Sequence, residues 1–174
     1  MLLEEAAGLI KSNSISQTEP EVWAELGCGS GTFTNALASI LIFGSIIYAV
    51  DKNKSQLSRI SDEIKNVRIE KVHGNFIQTV LPQNLNGILM ANSFHYVKDK
   101  NTFIKKIEKN LKLEGSFIIV EYDMDNSNPW VPYPLSFNSL KKFFEKFRYT
   151  SITKLNEHPS MYRRANIYSA LIIK

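Results

Sequence analysis

Hydrophobic positions along the chain follow two alternating patterns. Five segments repeat apolar residues at helical spacing, at 2–13, 32–43, 54–64, 101–111 and 135–147. Five short, continuous apolar runs are typical of buried strands, at 22–26, 46–50, 67–72, 87–91 and 116–122. Strands and helices that alternate in this way predict a Rossmann-like, doubly wound α/β fold with a mostly parallel sheet.

The C-terminal part breaks this alternation. Two further apolar runs, 149–155 and 167–173, are joined by a polar loop with no helix between them. A strictly parallel sheet would keep a helix there, so we expect one of the two strands to insert antiparallel at the sheet edge. The pattern therefore predicts seven strands with a C-terminal antiparallel hairpin strand. The length of 174 residues, without repeats or linkers, predicts a single domain over 1–174.

Composition narrows the function classes. Hydrophobic residues make up 44% of the chain and charged residues 22%, as in globular proteins. The single cysteine, Cys28, excludes an intramolecular disulfide and a multi-cysteine metal site. The N-terminus is acidic where a signal peptide is basic, and the longest apolar stretch is interrupted at Gly44 and shorter than the roughly 18 residues of a membrane span. We expect a cytoplasmic protein without a membrane partner.

The charge balance leaves two kinds of partner open. The formal net charge is +4, and Lys and Arg are scattered rather than gathered into a block. A solvated surface is the favoured interpretation of the Lys105-Lys106 and Lys141-Lys142 clusters, with nucleic acid as the second candidate partner.

A glycine-rich turn lies between the first predicted strand and the next helix. Gly27, Gly29 and Gly31 let the backbone approach a ligand closely, and the following helix start favours negative charge. Thr32 stands where a dinucleotide fingerprint has its last glycine, which disfavours NAD. Asp51 ends the second strand, where a carboxylate can accept both hydroxyl protons of a ribose. This combination predicts an adenosine-containing ligand.

These segments resemble a known family. Residues 25–31 and 50–51 look like the first two motifs of class I S-adenosylmethionine-dependent methyltransferases, and the similarity continues at 73–76, 91–96 and 113–117. The resemblance implies S-adenosylmethionine as cofactor and transfer of its methyl group. Because the sulfonium already activates that methyl group, no metal is expected.

The resemblance also assigns the cofactor-binding residues, which are Glu25, Gly27, Cys28, Gly29, Gly31, Asp51, Lys52, Asn75, Phe76 and Asn92. The glycine turn would pass beneath the methionine part, and Glu25 would face its cationic side or simply cap the loop. Asp51 would hold the ribose. Lys52 replaces an apolar residue that often covers the adenine, so only its aliphatic stem can substitute.

Three of these residues lie further along the chain. Asn75 would accept a hydrogen bond from the adenine amino group, where many relatives have aspartate. Phe76 would pack on the adenine ring or belong to the core. Asn92 follows the fourth strand and would meet the methionine part of the cofactor.

Acceptor chemistry is assigned to the second half of the chain. His95 is the candidate catalytic base, with a polar cap or rim residue as the alternative. Tyr96, Trp130 and Tyr133 are candidate acceptor-binding residues, although Trp130 and Tyr133 would equally close the core. Cys28 lacks a nearby histidine and is not expected to act as a nucleophile.

Three polar residues, Tyr162, Arg163 and Arg164, precede the last strand and are candidates to touch an acidic acceptor, with surface solvation favoured for the arginines. The expected function is methyl transfer to a small-molecule acceptor. A nucleic-acid or protein methyltransferase and a non-catalytic cofactor-binding partner subunit are the alternatives.

Overall fold

The structure, a computed structural model, describes residues 1–159 and 165–174. The helices in these ranges are α1 (Leu3–Ile10), α2 (Thr32–Ala38), α3 (Lys54–Leu57), α4 (Lys100–Ile107) and α5 (Phe137–Glu145). The strands are β1 (Val22–Leu26), β2 (Ile46–Asp51), β3 (Glu63–Ile64), β4 (Val67–His73), β5 (Leu85–Ala91), β6 (Leu111–Tyr122), β7 (Ser151–Pro159) and β8 (Asn166–Ile173). Two 3₁₀ turns occupy Phe94–Tyr96 and Glu108–Asn110. None of the described helices is long and apolar enough to cross a membrane.

The described strands form one sheet in the order β3-β4-β2-β1-β5-β6-β8-β7. Neighbours from β4 to β6 pair in parallel, and β8 pairs antiparallel with both β6 and β7. The mostly parallel Rossmann-like sheet with a C-terminal antiparallel strand is thereby confirmed. The antiparallel strand β8 lies inside the sheet, and its hairpin partner β7 forms the edge.

The prediction of a helix over 54–64 is wrong for the second half of that segment. Helix α3 ends at Leu57, and residues 63–64 form a short strand that pairs antiparallel with β4. Lys65 and Asn66 make the connecting turn with φ of 50° and 62°. Positive φ at both central residues is the geometry of a tight hairpin turn, which the helical spacing of apolar residues did not reveal. This hairpin adds an eighth strand to the seven predicted.

Helices cover both faces of the sheet. On one face, α1, α2 and α3 pack through residues such as Leu9 and Phe33. On the other, α4 and α5 pack through residues such as Ile104 and Phe144. Because parallel strands end at the same side, the carboxyl ends of β1, β2, β5 and β6 meet along one edge of the sheet. That edge carries the predicted site residues.

Candidate functional site

The glycine turn at the end of β1 is held by backbone hydrogen bonds. The N–H groups of Gly27 and Cys28 both donate to the carbonyl oxygen of Val50, at 2.8 and 3.1 Å. Gly27, Gly29 and Gly31 have φ of 82°, 54° and 89°, the left-handed region that favours glycine. The sequence therefore folds here into a turn that side chains would strain.

The three glycines differ in what lies next to them. A Cβ on Gly27 would come within 2.6 Å of Ser93 Cβ, and one on Gly31 within 2.8 Å of Ile60 Cγ1. A Cβ on Gly29 would meet no atom within 4 Å. The outer glycines thus accommodate other parts of the protein, whereas the middle glycine leaves a backbone cradle that a ligand can fill.

Asp51, at the end of β2, is fixed by two backbone donors. Its Oδ2 accepts the N–H of Gly29 and its Oδ1 accepts the N–H of Asn53, each at 2.8 Å. Each carboxylate oxygen keeps lone-pair capacity for another donor. Two adjacent hydroxyl groups, as on a ribose, match this arrangement.

Glu25 and Cys28 are buried beneath the turn. Glu25 is 2% exposed and accepts a hydrogen bond from the Thr34 hydroxyl at 2.5 Å. Burial raises the pKa of Glu25 to about 8, which favours the neutral acid at neutral pH. Burial is also the largest cause that raises the pKa of the Cys28 thiol. A protonated, buried thiol agrees with the expectation that Cys28 is not a nucleophile.

Residues 52–76 border the same turn. Lys52 is exposed, and its backbone carbonyl lies 3.0 Å from His73 Nε2. The side-chain oxygen of Asn75 accepts the N–H of Ile77 at 3.0 Å, so it caps its own turn while remaining exposed. Phe76 is partly buried against the core, and its Cε1 lies 3.4 Å from the position that a Cβ on Gly27 would take, while its predicted contact with the adenine stays a prediction.

Asn92 follows β5 in a left-handed conformation, with φ of 51°. Its N–H donates to Val120 at 2.8 Å, but its side-chain Oδ1 is buried without a hydrogen-bond partner among the described residues. An unpaired buried acceptor costs about 1–3 kcal/mol, so this oxygen is suited to receive a donor from a ligand. The orphaned oxygen, the Gly29 cradle and the Asp51 carboxylate together fit an adenosine-type cofactor.

His95 lies in the 3₁₀ turn after β5 and is 3% exposed, so it is not a rim residue. Its Nδ1 lies 2.7 Å from Oε2 of Glu121, and its backbone N–H donates to Oε1 of the same carboxylate at 3.1 Å. Glu121, near the end of β6, is 2% exposed. Sequence reasoning missed Glu121, because its partner lies 26 positions earlier and no local spacing links them.

Lys100 is a second buried charged residue that the sequence analysis missed. Its ammonium donates to the carbonyls of Val97 and Tyr133 at 2.8 and 2.7 Å. Burial lowers the pKa of Lys100 to about 8. Tyr133 in turn donates its N–H to the His95 carbonyl at 3.1 Å. Lys100 therefore joins the turn that carries His95 to the loop after β6.

The predicted acceptor-binding aromatics are exposed. Trp130 is 79% exposed, Tyr96 53% and Tyr133 39%, so Trp130 and Tyr133 do not close the core. Asn128 presents Trp130 on a tight turn, because its Oδ1 accepts the N–H groups of Trp130 and Val131. The Tyr96 ring lies 4.2 Å from the His95 ring. The predicted contacts of residues 162–164 lie outside the described part of the chain.

Comparison with known proteins shows the family of this chain. Residues 24–119 match a family described as the methyltransferase domain, and the match covers more than half of the chain. The chain therefore belongs to the methyltransferase domain family, and its fold is that of solved S-adenosylmethionine-dependent methyltransferases. A search of curated protein sequences gives no match.

Solved structures show the same fold at low sequence identity. A 1,6-didemethyltoxoflavin-N1-methyltransferase from Burkholderia thailandensis, with bound 1,6-didemethyltoxoflavin and S-adenosylhomocysteine, has a TM-score of 0.73 and 17% identity over 99% of this chain and 77% of its own. A SAM-dependent methyltransferase from Aquifex aeolicus has a TM-score of 0.65 and 16% identity over 91% and 84%. A candidate O-methyltransferase from Nostoc punctiforme has a TM-score of 0.69 and 16% identity. The match covers 99% of this chain, which spans 55% of the length of the Nostoc punctiforme protein.

Proposed function

We propose that this protein transfers the methyl group of S-adenosylmethionine to a small-molecule acceptor bound beside His95. The observation that carries the proposal is the Asp51 carboxylate, held by Gly29 and Asn53 at the edge of an open backbone cradle. A small acceptor is supported by the exposed aromatics Tyr96 and Trp130 on the neighbouring part of the edge. The Burkholderia thailandensis neighbour, a 1,6-didemethyltoxoflavin-N1-methyltransferase with that compound bound, supports the same acceptor class.

The residues around the turn divide the work of holding the cofactor. Asp51 would accept the ribose hydroxyls, the Gly29 backbone would lie beneath the methionine part, and the Asn92 side-chain oxygen would accept a donor there. Phe76 would flank the adenine from the core side. When bound, the cofactor supplies a methyl group already activated on a sulfonium, so the protein mainly aligns the acceptor and excludes water.

His95 would act as the catalytic base of this site. It is buried at the carboxyl edge of the sheet and its Nε2 has no hydrogen-bond partner among the described residues. A neutral imidazole in that position would take the proton that the acceptor loses on methylation.

Calorimetry with S-adenosylmethionine and S-adenosylhomocysteine tests the cofactor site. Asp51→Ala removes the acceptor for two hydroxyl groups, and hydrogen bonds to charged groups contribute about 1.5–3 kcal/mol, so affinity should fall about 10- to 100-fold. Asp62→Ala is the matched control, because Asp62 is an exposed carboxylate paired with Lys71. It should bind both compounds as the parent does. No binding by the parent, or equal affinity in Asp51→Ala, would contradict the site.

Transfer of a labelled methyl group tests the acceptor class. The protein is incubated with radiolabelled S-adenosylmethionine and, separately, with small aromatic hydroxyl and amine compounds, total RNA, and unfolded protein. Label in the small-molecule fraction supports the proposal. Label only in RNA or protein would show that the acceptor is a macromolecule, and cofactor binding without any transfer would favour a non-catalytic partner subunit.

A further inference from the structure

The buried contact between His95 and Glu121, the His95–Glu121 pair, goes beyond the assignment of a base. We infer that Glu121 is a positioning residue that holds His95 with its proton on Nδ1 and its lone pair on Nε2, so that the acceptor carries a removable proton on oxygen or nitrogen. This inference rests on the proposed function and narrows its substrate class to hydroxyl and N–H compounds.

The proton position follows from the donors that Glu121 receives. Oε1 accepts the backbone N–H of His95 at 3.1 Å, and Oε2 lies 2.7 Å from the ring Nδ1. With Glu121 ionised, both of its oxygens are acceptors, so Nδ1 supplies the proton of the second bond. In neutral imidazole, a proton on Nδ1 leaves Nε2 as an acceptor.

An amide at position 121 could not accept hydrogen bonds from both the backbone and the ring of His95. Glutamine has one acceptor oxygen and one donor NH₂ group. If the oxygen faces the backbone N–H of His95, the NH₂ group faces Nδ1 and favours the opposite tautomer. If the oxygen faces Nδ1, two donors oppose each other at the backbone. The carboxylate is therefore needed to hold the backbone and the ring of His95 together.

A purely structural role leaves Nε2 unexplained. This nitrogen is buried without a hydrogen-bond partner among the described residues, although buried polar atoms are generally paired. A ring that served only to fill space would be more stable without such an atom. The unpaired lone pair is accounted for if it receives a proton during the reaction.

Access to His95 would require a small movement. His95 is 3% exposed. The centroid of the Tyr96 ring lies 4.2 Å from the centroid of the His95 ring, and Tyr96 is 53% exposed. A rotamer change of an exposed aromatic side chain is a fast motion that needs no change in the fold. A displacement of the Tyr96 ring, which contacts the imidazole, is the movement that we expect to admit an acceptor.

The proposed transfer balances in atoms and charge. The acceptor oxygen or nitrogen forms a bond to the methyl carbon, and the bond from that carbon to sulfur breaks with its electron pair remaining on sulfur. The acceptor proton passes to Nε2 of His95. His95 then carries one positive charge, which the Glu121 carboxylate stabilises until the proton leaves to solvent.

Nitrogen NMR tests the tautomer directly. The chain has three histidines, so His95 can be assigned with a His95→Gln variant. In the parent protein, Nε2 should show the shift of an unprotonated ring nitrogen and Nδ1 that of a protonated one. Glu121→Gln should shift this equilibrium, whereas Glu108→Gln, which alters a carboxylate paired with Tyr149 and Lys174, should not. A protonated Nε2 in the parent, or an unchanged spectrum in Glu121→Gln, would overturn the positioning role.

Turnover tests the acceptor class, with matched pairs of acceptors that have or lack a removable proton. Hydroxyl and ring N–H compounds should be methylated, and tertiary amines should not. With an active compound, Glu121→Gln should lower kcat about 10-fold or more and His95→Ala about 100-fold or more, with partial rescue of His95→Ala by added imidazole. KM for S-adenosylmethionine should stay the same in both variants. Unchanged kcat, or no transfer to any proton-bearing compound, would overturn the inference.

Measurements of cofactor binding distinguish a variant that fails to fold, a failure of the proposed function and a failure of the inference about Glu121. If Glu121→Gln fails to fold, Glu121→Asp replaces it, because the shorter side chain withdraws the carboxylate from Nδ1 of His95, and rescue by imidazole is still measured in His95→Ala. Calorimetry with S-adenosylhomocysteine is run on every variant. Loss of binding by the parent contradicts the proposed function, whereas normal binding with unchanged turnover in the variants contradicts only the role of the His95–Glu121 pair.

Discussion

The two halves of the carboxyl edge are built differently. Beside β1 and β2, the site consists of the open backbone at Gly29 and the Asp51 carboxylate, which the N–H groups of Gly29 and Asn53 hold in place. Beside β5 and β6, the site consists of side chains from distant segments, as in the His95–Glu121 pair, with the exposed Tyr96 ring against His95. The half beside β1 and β2, which we call the cofactor half, is suited to an invariant cofactor. The half beside β5 and β6, the acceptor half, allows acceptors to change by side-chain substitution on the same backbone.

Gly27 is where the two halves meet, and changing it should have the largest effect. Its missing Cβ leaves room for Ser93, whose hydroxyl donates to the Leu26 carbonyl at 2.5 Å. Gly27→Ala adds a contact of 2.6 Å and strains a φ of 82°, so it should destabilise the protein by about 3 kcal/mol in urea unfolding. Cofactor binding should be lost as well, because both halves move.

Gly29→Ala is the matched comparison, two residues away in the same turn. No atom lies within 4 Å of its added Cβ, so only the backbone strain at φ of 54° remains, about 1 kcal/mol. This variant should fold and yet bind S-adenosylhomocysteine at least ~10-fold more weakly, since the methyl group fills the proposed cradle. Equal destabilisation by the two variants would contradict the difference between the glycines.

Glu25 gives the cofactor half a pH dependence of known sign. Its pKa is raised from 4.5 to about 8 in the folded protein, chiefly by burial. Between these values the folded state holds a proton that the unfolded state has lost, so stability is highest at low pH and falls as pH rises. From pH 5 to 8 the free energy of unfolding of the parent should fall by about 3 kcal/mol relative to Glu25→Gln.

Glu114→Gln, at an exposed position, is the control for that measurement. Urea unfolding at several pH values should give this control the slope of the parent, while Glu25→Gln flattens it. Glutamine keeps an acceptor for the Thr34 hydroxyl, so the Glu25→Gln protein should remain folded throughout. Parallel pH profiles for the parent and Glu25→Gln would show that Glu25 is ionised in the folded state.

Sequence reasoning succeeded where structure is local. The strand, glycine turn and helix around Gly27 to Gly31 leave a continuous pattern, because positive φ and close backbone approach require glycine itself. The sheet followed from the alternation of apolar runs. The hairpin at Lys65 and Asn66 was missed because neither residue is a glycine, although both have positive φ.

The acceptor half was harder to predict, because its contacts are distant in sequence. From the sequence alone, Glu121 is one more position in a buried strand, and only the fold brings it to His95. The sequence likewise predicts that Lys100 is a surface charge on an amphipathic helix. Burial of such groups depends on tertiary packing, which periodicity does not encode. The exposure of Trp130 likewise follows from its loop and not from its residue type.

Trp130 offers the smallest and most specific test of this half. It is 79% exposed on the turn held by Asn128, so Trp130→Ala should change the free energy of unfolding by less than about 0.5 kcal/mol. Phe43→Ala is the control, since Phe43 is 77% exposed at the opposite, amino edge of the sheet. With a small acceptor found by methyl transfer, Trp130→Ala should raise the acceptor KM about 3- to 10-fold, in line with a lost aromatic contact of 0.5–1.5 kcal/mol. The KM of the Trp130→Ala protein for S-adenosylmethionine should not change, because the cofactor half is built on separate backbone contacts. Equal acceptor KM in the two variants would mean that the acceptor is held by the His95 side of the edge without the loop that carries Trp130.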